Sequence, residues 1–173
     1  LSQNDLLSAY NAYSRALTVD PKNRDVKRDL AIVQLRQGQV DEAIRAFEAL
    51  LYEDENNAKL LLNLGIAYFE KNRFSESERY LTRVLQRIPQ GSNESLQAHS
   101  YLAKIYHRSK QPEKAIEHFR AVCSVKPGVD CLKGMAQMYY EAGQWDSCIA
   151  ELAKVLQFDK SDPDVYGTLA VAL

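Results

Sequence analysis

The sequence predicts an all-α protein built from stacked helix pairs, and three observations carry that reading. First, a short phrase recurs: Gly38-Gln-Val-Asp-Glu-Ala-Ile44, Asn72-Arg-Phe-Ser-Glu-Ser-Glu78, Lys110-Gln-Pro-Glu-Lys-Ala-Ile116 and Gly143-Gln-Trp-Asp-Ser-Cys-Ile149, at spacings of 34, 38 and 33 residues. A weaker copy, Asn4-Asp-Leu-Leu-Ser-Ala-Tyr10, lies 34 residues before the first. Second, a column of small residues keeps register with the phrase: Ala31, Gly65, Ala103, Ala136 and Ala170. Third, glycine (7) and proline (5) are scarce in 173 residues, which argues against a turn-rich β fold.

Each half of the unit has its own logic. In the first half, Leu30, Leu64, Leu102, Met135 and Leu169 precede the small residue, and Gln34, Tyr68, Tyr106 and Tyr139 follow it by three. That spacing places them on one helical face. A small side chain between them lets two backbones approach, where a large one would wedge them apart. In the second half, Ala43, Ser77, Ala115 and Cys148 form another small column, and a bulky residue follows: Phe47, Leu81, Phe119 and Leu152. Gly38, Asn72 and Gly143 suit the left-handed residue that ends a helix. Lys110 is the exception, with Pro112 ready to start the next helix. Glu42, Glu76, Glu113 and Asp146 fall in first turns, where the helix dipole favours a negative charge. The predicted helices are 5–19, 24–37, 41–54, 58–71, 75–88, 94–109, 112–125, 129–142, 146–158 and 163–173. The junction Pro89-Gln-Gly-Ser-Asn-Glu-Ser95 is longer than the others and reads as an extra helical turn, a loose loop, or an insertion that touches a partner.

Charge and composition narrow the function classes. Lysine plus arginine is 22 and aspartate plus glutamate 23, for a net charge of −1, so no polybasic nucleic-acid binder is expected. The longest apolar stretch, Leu60 to Phe69, is too short to span a bilayer. The chain opens at Leu1 and stops within the apolar Leu169–Leu173, and we expect it to be part of a longer protein. Helices without neighbours at the two ends would leave Tyr10, Tyr13, Val165, Leu169 and Leu173 partly bare and favour end-to-end self-association.

The paired columns resemble the tetratricopeptide repeat family. Leu64-Gly65-x-x-Tyr68, Ala43-x-x-x-Phe47, Ala115-x-x-x-Phe119 and Ala9-x-x-x-Tyr13 carry the likeness. Lys27, Leu61, His99, Leu132 and Tyr166 occupy the slot where the family places tryptophan. The resemblance implies a right-handed α-α superhelical solenoid over residues 1–173. Its full repeats would be 24–57, 58–95, 96–128 and 129–162, with partial ones at 1–23 and 163–173. It also implies a non-catalytic scaffold that binds a protein or peptide segment in a groove lined by first helices, with no cofactor. The alternatives are a structural or self-assembling segment and an accessory domain of an enzyme. Carried over by position, the groove residues are Arg28, Asp29, Leu62, Asn63, Phe69, Tyr101, Lys104, His107, Arg108, Lys133 and Tyr140. Arg28 and Asn63 match two members of the set with which relatives hold a C-terminal carboxylate. Ile32, Gln97 and Tyr101 depart from that set. What remains is basic and aromatic, and suits an acidic, aromatic partner segment.

No phosphate loop, metal-protease motif or nucleophile elbow is present, and His99, His107 and His118 have no metal-ligand spacing with the cysteines. His99 is expected to be partly buried and His118 solvated. Cys148 reads as a buried small hydrophobe. Cys123 and Cys131 flank a predicted turn, Lys126-Pro127-Gly128, so both free thiols and a disulfide are open. A bridge would go with an oxidising, exported location and free thiols with a cytoplasmic one.

Overall fold

A computed structural model describes residues 3–158 and 163–172. Among them are ten α-helices and no strand: α1 Gln3–Val19, α2 Arg24–Arg36, α3 Val40–Glu53, α4 Ala58–Glu70, α5 Phe74–Leu85, α6 Asn93–Arg108, α7 Pro112–Val125, α8 Val129–Glu141, α9 Trp145–Phe158 and α10 Pro163–Ala172. The chain forms two compact units, one ending at Pro89 with α1–α5 and one beginning at Gln90 with α6–α10.

In the first unit α2 packs on α3 and α4 on α5, while α1 covers α2 and α3 covers α4. Both small columns lie at its centre. Ala31, Ala43 and Ser77 are fully buried beside Phe47, Leu61, Leu64, Leu81 and Val84. Ser77 is polar yet satisfied, because its hydroxyl donates to the carbonyl of Gly65 at 2.6 Å. In the second unit α6 pairs with α7 and α8 with α9. Ile116, Met135, Ala136, Tyr139, Cys148, Leu152, Val155 and Val165 form a continuous core there.

The turns inside the helix pairs repeat down to their hydrogen bonds. Gly38, Asn72, Lys110 and Gly143 have φ of 80°, 59°, 55° and 69°. In each turn the next residue's amide reaches back to the carbonyl of Gln34, Tyr68, Tyr106 or Tyr139 at 2.9 Å. The left-handed residue itself donates to Leu35, Phe69, His107 or Tyr140. This double bond satisfies two carbonyls that a helix end otherwise leaves open. Lys110 adopts the same conformation as the glycines despite its Cβ, so the turn geometry overrides the local preference. Asn23 and Asn57 cap α2 and α4, accepting from the amides of Val26 and Leu60, a signal the sequence reading passed over.

The longer junction is divided between loop and helix, with residues 89–92 outside α6 and 93–95 inside it. α6 has 16 residues against 13 in α2, α4 and α8, and its added turn starts at Ser92, whose hydroxyl accepts from the Ser95 amide at 3.2 Å. α5 ends at Leu85, three residues short of the predicted end. At the far end Val165 is buried, not bare as expected, because α10 sits on α9. Tyr10 and Tyr13 are half-buried. The expectations for Leu169's side chain and Leu173 lie outside the described residues.

Candidate functional site

The second unit gathers most of the predicted groove residues on α6 and α8. On α6, Tyr101 is half-buried, and the Lys104 ammonium lies 5.0 Å from its ring centroid one turn away. That is within cation–π range. Lys104, His107 and Arg108 are exposed. His107 Nε2 contacts Glu141 Oε2 of α8 at 2.6 Å, and the other carboxylate oxygen accepts from the Gln137 amide at 2.8 Å. Glu141 is the acid that the sequence reading missed. It sits beside Tyr140 on α8 and tempers the basic character expected around His107. Lys133 is half-buried on the wall of a cavity of about 110 Å³ shared with Gln137 and Thr168. Tyr140 meets Trp145 edge-on, 5.2 Å between centroids, and this sole tryptophan is 45% exposed.

The first unit offers less. Arg28 bonds to Asp25 at 2.7 Å and to Asp29 at 2.9 Å. Partial burial works against its charge, but the bonds to Asp29 and Asp25 outweigh that and hold its pKa above the ordinary value. Its guanidinium is therefore committed to this chain's own carboxylates. Asn63 is half-buried, while Leu62 and Phe69 are buried at 5% exposure each and do not line a groove. Phe69 packs on Phe74 instead.

Two further clusters lie in the second unit. His99 Nδ1 and His118 Nδ1 are 2.8 Å apart, and His118 stacks on Tyr106 at 5.4 Å, so His118 is packed and not solvated as expected. One ring must carry its proton on Nδ1 and the other must not. Burial lowers the His99 pKa from 6.5, partly opposed by Glu117. A histidine pKa depressed by folding makes the unfolded state bind more protons, so its contribution is present above about pH 6.5 and is lost as pH falls through the folded value. Lys114, 5.1 Å from the Tyr106 ring, adds a like charge to the neighbourhood. Thermal melts should therefore drop between neutral and mildly acidic pH. His99→Gln should flatten that drop, and an equal pH response in the variant would remove the histidine pair as its cause.

The second cluster is covalent. Cys123 near the end of α7 and Cys131 near the start of α8 are joined as a disulfide, with Cα atoms 5.6 Å apart, inside the ordinary range. Cys148 is free and buried, and burial pushes its thiol pKa up. Among the described residues no group of three or more acidic, histidine or cysteine side chains is arranged to hold a metal ion, and no helix is long and apolar enough to cross a membrane.

These helix pairs define a class of helical-repeat proteins. The chain matches the family described as "Tetratricopeptide repeat" at residues 1–55, 35–105 and 97–128, and it belongs to that family. It is 28% identical over 80 residues to "Tetratricopeptide repeat protein 8" of Caenorhabditis elegans, a match that covers 46% of this chain and 16% of the relative. Among solved structures it superposes on MamA with a TM-score of 0.75 and 23% identity, over 91% of each chain. It superposes on YrrB, described as a tetratricopeptide repeat protein with an unusual peptide-binding site, with a TM-score of 0.74 and 15% identity, over 93% of this chain and 81% of that one. Those likenesses establish a shared fold. Proteins of the family are typically non-catalytic scaffolds with a protein-binding role.

Proposed function

We propose that the chain binds a segment of a partner protein across the α6–α8 face, and that the segment carries acidic and aromatic residues. One observation supports this reading: His107 of α6 contacts Glu141 of α8, which ties together the two helices that carry Tyr101, Lys104 and Arg108 and, on the other, Lys133 and Tyr140, with the exposed Trp145 against Tyr140. Half-buried tyrosines offer rigid apolar anchors, and the surrounding cations steer an acidic segment to them. Glu141, held by His107, sets a boundary that a second acidic residue would avoid.

The experiment starts from a partner recovered by pull-down with the intact protein and identified by mass spectrometry. Lys104→Glu with Arg108→Glu should weaken that partner about tenfold and reduce the salt sensitivity of binding, with helicity unchanged. The fluorescence of Trp145, the one tryptophan of these 173 residues, reports the binding of a partner peptide without tryptophan to this chain. Unchanged affinity and unchanged salt dependence would move the binding site off this face.

A further inference from the structure

On the solvent side of the first unit, α5 carries Arg79 and Arg83, and Arg87 follows at the same four-residue interval in the turn just past the helix end, so one ridge is cationic. Ser75, Thr82 and Gln86 are exposed beside it, and Glu78 is half-buried in the row that Thr82 and Gln86 continue. Among the described residues, none of the three guanidiniums forms an ion pair with a carboxylate. Arg79 lies over the Tyr80 ring at 4.9 Å. Arg83 donates to the Glu55 carbonyl at 3.0 Å and lies 6.0 Å from the same ring. Arg87 donates to the Asn56 side-chain oxygen at 2.9 Å and to the Arg83 carbonyl at 3.1 Å. The three guanidiniums are thus held in place by neutral acceptors and a π face, and among the described residues none forms an ion pair, while Arg79 acts electrostatically on Glu76 one turn before it.

The ridge borders an aromatic floor. Tyr80 stacks on Tyr68 of α4, 5.5 Å between centroids and 5° from parallel, and Arg73 lies 5.0 Å over Tyr68. Two acids here are engaged, Glu76 with Arg73 and Glu48 of α3 with the Tyr68 hydroxyl at 2.6 Å, while Glu78 is half-buried next to Arg79 and Glu55, whose carbonyl Arg83 reaches, is exposed. Tyr52, one turn beyond Glu48 on the same side of α3, is 86% exposed. Tyr52 and three arginines that form no ion pair among the described residues thus lie on α3, on α5 and in the turn after α5, while the stacked Tyr68–Tyr80 pair is buried beneath Arg73, Arg79 and Arg83.

We propose that this side of α5 is a second docking surface, separate from the α6–α8 face, and that it takes an extended acidic segment of a partner protein. Spacing supports the extended form. Arginines four residues apart on a helix are about 6 Å apart along its axis, and alternate side chains of a strand are about 6.6 Å apart, so carboxylates at every second residue would meet successive guanidiniums. Arginine forks bind carboxylates bidentately, and Tyr52 offers an apolar contact to the residues between.

The probe is a fluorescein-labelled peptide of alternating glutamate and serine, titrated by anisotropy at low and at physiological salt. All proteins carry Lys104→Glu and Arg108→Glu, so the other face does not report and a failure of either reading stays separate. Saturable binding that weakens with salt is expected. Arg79→Gln with Arg83→Gln and Arg87→Gln should weaken it about tenfold or more. Arg83 and Arg87 also hold the α3–α4 turn, so Arg79→Glu, which disturbs a ring contact and the attraction to Glu76 but no hydrogen bond across helices, is the second variant, with about a fivefold loss and unchanged helicity. Absence of saturable binding would overturn the proposal, as would full affinity in Arg79→Glu. Tighter binding of a lysine–serine peptide, an oligouridylate or phosphatidylserine vesicles would overturn it too.

Discussion

Gly65→Leu should unfold the protein at a temperature about 5–10 °C lower than the parent, corresponding to a loss of about 3 kcal/mol. A Cβ at this position would stand 2.6 Å from Leu81 Cδ2 and 2.7 Å from its Cγ, closer than real side chains approach. Leu81 cannot retreat, since it is fully buried with Val84 and Phe47 in the same core. The backbone of α4 is also tied to α5 through the Ser77 hydroxyl on the Gly65 carbonyl, so separating the helices to admit a side chain would leave that buried hydroxyl without its partner. Gly134 is the useful contrast. A Cβ there meets Phe119 Cζ at 2.6 Å, but that ring is half-buried and its far end can swing, so Gly134→Ala should cost less than Gly65→Ala. Thermal unfolding followed by circular dichroism checks both. A parental melting temperature for Gly65→Leu would mean that the small column is not where these backbones meet.

That column shows how much of the fold was legible in the sequence. Ala31, Gly65, Ala103 and Ala136 could be aligned without any structure because close helix approach excludes every large side chain from the position. The left-handed turns were legible at Gly38, Asn72 and Gly143, where the residue type advertises the conformation. Lys110 hid the same turn, and only the register of its neighbours implied it. Pairings across helices were harder to read. His99 and His118 are 19 residues apart and meet because α6 and α7 have a particular rotation about their axes, which hydrophobic periodicity fixes only coarsely. Glu141 was overlooked because its partner His107 lies on another repeat. Leu62 and Phe69 carry groove positions by resemblance but are apolar, and the packed interior claims them first. Arg28 could have been discounted from sequence, since Asp25 and Asp29 flank it at distances where helical side chains and sequence neighbours reach each other.

Breaking the Cys123–Cys131 bridge should cost about 2.5 kcal/mol, the closure entropy of the short loop it ties. The two cysteines are 8 residues apart in sequence and span the turn from α7 into α8, where Pro127 already restricts the unfolded chain. That restriction should shave the effect and cannot add to it. Melts with and without a dithiol reductant measure the difference, and Cys123→Ser with Cys131→Ser should reproduce the reduced value and lose all response to reductant. Cys148 sets the thiol count. Being buried with a raised pKa, it should react only after denaturation, so oxidised protein should give one thiol in denaturant and reduced protein three. Three thiols in unreduced protein from its native compartment would show that the pair is not bridged there. The bridge also fixes where α8 begins, and α8 carries Lys133, Tyr140 and Glu141. If those residues form half of a binding face, reduction should weaken the partner of that face as well as the fold. Binding that is indifferent to reductant, measured well below the melting temperature, would confine the bridge to stability.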